Sequence, residues 1–286
     1  MYRYALTACL MAAPTLAWPA EVTLTPAHDA SIYGGAPGYN NIADGSGTYL
    51  WTSVTAAGVA RRALLRFDLS ALPAGTQVQQ VQLGLYLSRS QPTDPQVNLH
   101  KLNAPWTEGA ADGGSQGHGA PAAVGDVTWI SRSHPTLAWA QPGGDFDPQA
   151  SASVNLGLPG ERFFWGSTPR MVADVQAWVG NPASNHGWVL IGVESGSQNA
   201  KRFESRESIP AVRPTLRVVY EPAVAVMQDD IPVPAWALGV LGSALAAVLV
   251  RRRRSATAAG AAEAAANVVR SDASERMREH DTTTRR

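Results

Sequence analysis

The residues of this 286-residue chain that could do chemistry are scattered, and their spacing limits what each can do. GGSQG, Gly113 to Gly117, has the G-x-S-x-G spacing of a nucleophile elbow. That motif needs a strand before the serine and a helix after it, because the sharp turn between them exposes Oγ for attack. Here it lies within AADGGSQGHGAP, which has neither and reads as a loop. His28, His100, His118, His134 and His186 show no H-E-x-x-H or close Cys/His spacing, so a zinc site is unsupported. Glu204 and Glu207 could in principle share acid and base work on a sugar. Arg202 and Arg206 beside them make a salt-linked strand end the simpler reading. The chain is therefore read as non-catalytic, with a polysaccharide-active enzyme a distant third.

Binding chemistry fits the pattern better. Successive side chains of a strand point to opposite faces. Where Leu65 and Phe67 point in, Arg62 and Arg66 point out; where Leu83, Leu85 and Leu87 point in, Tyr86 points out; where Val97 and Leu99 point in, His100 points out. If these strands adjoin, the four residues form a basic-aromatic strip. Guanidinium groups pair with uronate carboxylates and an aromatic ring packs on a pyranose face, so such a strip suits an acidic polysaccharide. The alternative is an ordinary solvated sheet face. Trp51, Trp106, Trp129, Trp139, Trp165, Trp178 and Trp188 offer rings for sugar stacking, but most are expected in the core, because a fold without disulfides needs bulky filler.

The elements that must carry these residues are short strands closed by turns. Alternation over 62–69 and 81–87 marks two strands, and further strands are expected at 48–54, 96–102, 126–131, 151–156, 187–193, 200–205 and 213–220. SRSQPTDP and QPGGDFDP separate them, which suits an antiparallel sandwich better than alternating strands and helices. One helix interrupts the series: Thr168 can cap it, Pro169 fits its first turn, Val172, Val175 and Val179 form a stripe with Trp178 alongside, and Gly180-Asn181-Pro182 stops it.

Several strings in this order resemble the DNRLRE domain family, related to repeats of archaeal disaggregatase. They are DASIY, YNN, LLRFDLSALPAGTQVQQVQLGLYL, WTE, VTW followed by WAQPGGDF, DVQAWVGNPASNHGWVL, and FESRES with RPTLRVVY. The resemblance spans roughly Glu21 to Glu221. It implies a β-sandwich of jelly-roll type on secreted and surface proteins, with some relatives binding carbohydrate, alginate included, and no catalysis. NHG at Asn185 to Gly187 stands where the family often has Asn-Tyr-Gly, so ligand specificity does not carry over. Jelly-roll modules of this kind often hold a structural Ca²⁺ where first and last strands meet. Here Asp29 and Glu207 are the candidate ligands, the alternative being two unrelated surface acids.

The two ends read differently from the middle. Residues 1–20 have Arg3, an apolar run and small residues before a cleavage site, a signal peptide whose removal takes Cys9, the single cysteine, with it. After the domain at 21–221 and a linker at 222–234, the uncharged run 235–250 precedes Arg251 to Arg254. It is expected as a transmembrane or sorting helix with the arginines cytoplasmic, and it resembles C-terminal sorting signals of the PEP-CTERM and IPTL-CTERM types read by a membrane sorting enzyme. The tail 255–286 departs from those signals, which usually end at the basic cluster, and 251–286 as a whole reads as that cluster followed by disorder. From Glu21 to Asp230 there are 18 acidic and 13 basic residues, an acidic balance that argues against nucleic acid as a partner. The expected protein is exported to the envelope, anchored or released, and binds an acidic glycan; the alternative is a structural or adhesive envelope protein without a saccharide pocket.

Overall fold

The computed structural model describes residues 18–222, apart from 92, 94 and 197. The expected signal-peptide core, the 235–250 helix and the tail lie outside the described residues. Among the described residues no helix is long and apolar enough to cross a membrane.

The first half of the domain holds β1 (Ala20–Leu24), β2 (Pro26–Gly34), β3 (Ile42–Asp44), β4 (Tyr49–Val54), β5 (Ala60–Phe67), β6 (Gln77–Ser90), β7 (Gln96–Lys101) and β8 (Ala120–Pro121). The second half adds β9 (Ser131–Ser133), β10 (Leu137–Ala138), β11 (Ala152–Asn155), β12 (Glu161–Trp165), α1 (Pro169–Gly180), β13 (Trp188–Gly192), β14 (Lys201–Glu204) and β15 (Thr215–Glu221). Hydrogen bonding runs β1-β15-β6-β14-β4-β5-β13-β7-β11, with β12 on the other edge of β6 and β2, β3 and β8 continuing from β5. The named strand pairings are antiparallel.

The path folds over at β4, which pairs β14 through Tyr49–Thr52 and β5 through Ser53–Val54. Leu65 and Phe67 of β5 and Leu99 of β7 then meet Leu83, Leu85 and Leu87 of β6 and Phe203 of β14 in one core. The alternation that defined these strands places one side chain in two in this layer, as expected.

The helix forms where its signals stand. Thr168 Oγ1 accepts from the Met171 amide and Pro169 opens the first turn. Its buried stripe is Met171, Val175 and Trp178, with Val172 and Val179 at the margins, so the expected stripe is corrected by about a fifth of a turn. Gln176 accepts from the Val78 amide and donates to Thr76 O, which ties α1 to the start of β6.

The strand expected at 126–131 does not form over 126–130, where local turns replace a ladder: the Thr128 amide donates to Ser131 O and the His134 amide to Asp126 O. Asp126 accepts from the amides of Ala110, Ala111 and Ala123, and Thr128 Oγ1 accepts from Ser131, so the segment coils around its own carboxylate. It belongs to a long excursion, 103–147, that lies across the far face of β5 and β13. Trp106, Val127, Trp129 and Trp139 there form a second apolar cluster with Leu64, Val189, Ala30 and Ile32. The layer containing β5 is therefore buried on both faces.

Candidate functional site

The outward phases assigned to β5 and β7 are correct, but the face is not solvent. Arg62 and Arg66 share the face of Leu64, and Leu64, Val189 and His100 stand in register across β5, β13 and β7. Strands β5 and β7 do not adjoin, because β13 separates them. Tyr86 is on β6, facing away from the core on the opposite layer. The four residues therefore do not form one strip: three share a covered face and the fourth is on the other side.

Each of the three has a different fate under that cover. Arg62 has a side chain 12% exposed. It chelates Glu194 with Nε and Nη2, both at 2.7 Å, donates to Gly143 O, and sits 4.6 Å from the Trp129 ring centroid and 5.3 Å from that of Phe146. His100 is buried, with Nδ1 2.9 Å from Asp147 O and its ring edge-on to Phe146. Arg66 is half-buried, 5.9 Å over the Trp106 ring, and enters none of the ion pairs among the described residues. Burial holds its guanidinium below the ordinary arginine range, with Glu108 opposing.

Arg66 opens onto a cleft of about 520 Å³. One wall is the end of β5 and the turn after it, Phe67 to Leu72; the other is Trp178, Pro182 and Asn185, with His28 at the rim. The wall is stiff. Asp68 accepts from the amide of Ser70, which with the Ser70 hydroxyl keeps its carboxyl below the usual range, and Asn185 Nδ2 donates to Phe67 O. Gly187 follows with φ +78, where a Cβ would lie 2.0 Å from Leu65 O, so only glycine lets this chain pass.

Beside the cleft three carboxylates converge. Ligand oxygens of Asp29, Glu108 and Glu207 lie within 4.8 Å of one another. Asp29 and Glu207 are the pair the sequence singled out; Glu108 was missed, although it ends the WTE string. Arg206 Nε is 2.8 Å from Glu108 Oε1 and 3.0 Å from Glu207 Oε1. Glu108 also accepts from the Asp29 amide and meets His28 Nδ1 at 3.1 Å, while the Arg206 amide donates to Asp29 Oδ2. Burial, then the Glu207 charge, pushes the Asp29 carboxyl well above the usual range. One guanidinium does not neutralise three carboxylates, and an all-oxygen set with surplus negative charge is the donor chemistry a hard cation takes.

None of the seven expected tryptophans is an open platform, since all are buried. Ser115 of the GGSQG loop sits in a short 3-10 turn rather than between a strand and an α-helix, so the nucleophile-elbow geometry is not formed there.

Residues 20–128 match the model of carbohydrate-binding module family 96. The match spans less than half of the chain but contains β1 to β8, and with them Asp29, Arg62, Arg66, Tyr86, His100 and Glu108. No curated protein matches the chain significantly. The match thus suggests a carbohydrate-binding module, here within a mostly antiparallel β-sheet domain.

Proposed function

We propose that this domain is a non-catalytic module that binds an acidic polysaccharide at the cell envelope, with Arg66 as the cation that meets a uronate carboxylate in the cleft beside Phe67. The observation that carries the reading is the guanidinium itself: it is partly desolvated, held against Trp106, and without an ion-pair partner among the described residues. A charge in that state gains most from an incoming anion. The folded-over sheet suits the jelly-roll sandwich that the DNRLRE resemblance implies. The exported, membrane-tethered or sorted location rests on the two ends of the sequence.

A Ca²⁺ held by Asp29, Glu108 and Glu207 is part of the same proposal. It would supply charge compensation and join β2, the 103–147 excursion and the chain after β14.

A structural or adhesive protein without a saccharide pocket is the second reading. It is favoured by the number of cations here that are already occupied, Arg62 by Glu194, Lys101 by Asp174 and Arg206 by Glu108. A glycan array with the purified protein separates the two. Selective retention of uronate-rich glycans supports the module, and failure on all glycans favours the structural protein. Release of product would indicate an enzyme.

A further inference from the structure

The layer opposite the cleft has an outer face that the 103–147 excursion covers only at its β4 end, where Gly117 lies on Trp51, the register partner of Arg202, and its cations are arranged differently. Arg202 on β14 and Arg89 on β6 are cross-strand neighbours in register. Like charges placed so repel, yet neither enters an ion pair among the described residues. Arg202 is fixed all the same: its guanidinium carbon lies 3.9 Å from the Tyr49 ring centroid and its Nε donates to Ser88 Oγ at 3.0 Å. Across β6, Arg162 of β12 is opposite Tyr86. It too has no carboxylate, and its Nη1 donates to the carbonyls of Gly84 and Arg213. Of the acids on this face, Glu21 is taken by Arg217 and Glu204 accepts from Ser208.

Apolar surface lies between these charges. Phe164 is 47% exposed on β12, next to half-buried Tyr86. Its register partner is Gly84, where a Cβ would come 3.0 Å from the Phe164 ring and 3.2 Å from Arg162. Glycine therefore keeps the floor between ring and guanidinium flat.

From this arrangement we infer a second docking surface, for an extended polyuronate chain, formed by Arg89, Arg162 and Arg202 with Tyr49, Tyr86 and Phe164. Carboxylates of the chain compensate the Arg89–Arg202 repulsion, and sugar faces pack on Phe164 and Tyr86. Arg162 and Arg202 are held before the ligand arrives, so little side-chain freedom is lost on binding. The inference rests on the acidic-glycan reading and extends it: with the Arg66 cleft on one layer and this surface on the other, one molecule holds two chains and cross-links them.

The test is calorimetric titration of the purified full-length protein with an oligogalacturonate of defined length, alongside a neutral gluco-oligosaccharide. The parent is expected to take two oligogalacturonates per chain. Arg202→Ala and Phe164→Ala, each checked for an unchanged melting curve, should lower affinity at one of the two about tenfold, the loss of one charge-assisted contact in the first and of one ring–sugar contact in the second. Arg202→Ala should also flatten the salt dependence, and Arg89→Ala provides the same readout if Arg202→Ala fails to fold. If these variants bind two oligomers as the parent does while Arg66→Ala loses one, the second surface is overturned and the cleft stands. If Arg66→Ala changes nothing while the face variants abolish binding, the surface stands and the cleft reading fails. Preference for the neutral oligomer, or no binding by the parent, overturns both.

Discussion

Asp44 gives the most quantitative expectation. Its carboxylate is 2% exposed; it accepts from the Gly113 amide at 3.0 Å and from the Tyr33 hydroxyl at 3.1 Å, and so pins the start of the glycine-rich loop whose Gly117 lies flat on Trp51. Burial outweighs those hydrogen bonds and pushes the carboxyl from 3.8 up to about 6. A folded pKa above the unfolded one means that the neutral form is favoured by folding. The contribution is fully present below about 3.8 and is lost as pH rises through about 6. That rise corresponds to about 3 kcal/mol. Asp44→Asn keeps the shape and the acceptor for Gly113 but has nothing to titrate. Urea unfolding of parent and variant between about pH 4 and pH 7 should therefore show the variant gaining about 2.4 kcal/mol relative to the parent, most of the full difference. Every other titrating group is common to both proteins and cancels in the difference. A difference that stays flat, or moves the other way, would refute the claim that burial dominates at Asp44.

Phe67→Ala should cost about 3 to 5 kcal/mol in the same assay, because the ring is 2% exposed and packs edge-on to Trp188; binding would be lost only through unfolding. Arg66→Ala should change stability little yet weaken oligogalacturonate binding, read by titration against the parent. Arg62→Ala, on the same face, should instead cost roughly 2 to 4 kcal/mol by leaving Glu194 and two aromatic faces without their partner; a neutral result would show that its ion pair is incidental. Adding Ca²⁺ to chelator-treated protein should raise Tm, and Asp29→Asn should abolish that rise. An unresponsive parent whose Tm rises with Asp29→Asn would show three crowded carboxylates and no ion.

Local pattern made the inner layer legible. The alternation in β5, β6 and β7 and the Thr168-Pro169 helix start are consequences of a few neighbouring residues, and they hold. The outer cover was not legible, because nothing local says what a loop will lie against. Trp106, Trp129, Trp139 and Phe146 sit in a segment without a period, and the need to bury those rings is met by the far face of β5 and β13. For the same reason the phase of Arg62 and His100 was right and their exposure wrong. Tyr86 was grouped with them because alternation gives a face relative to a strand, whereas the fold at β4 decides which side of the molecule that face is on. Phe164 was not singled out, since an aromatic in ERFFW is as compatible with the core, where Trp165 lies, as with the surface.

The strings that carried the family resemblance meet in space, and their meeting point separates architecture from specificity. DASIY supplies Asp29, WTE supplies Trp106 and Glu108, NHG supplies the His186 carbonyl that accepts from Trp106 Nε1, and FESRES supplies Arg206 and Glu207. These groups bond chiefly to one another, across sequence separations of up to 177 residues. Such a knot closes the domain and holds the excursion onto its layer. Groups already committed to it, to one another or to the proposed Ca²⁺, cannot also choose a glycan without loosening the fold. If the domain binds a glycan as proposed, recognition is expected at side chains just outside the knot, where charge is fixed in place but enters no ion pair among the described residues. Arg66 meets that condition at the rim of the knot; Arg89, Arg162 and Arg202 meet it on the opposite layer. On the proposed reading, a chain changed at Arg66, Arg89 and Arg202 is expected to change its glycan before it loses its fold.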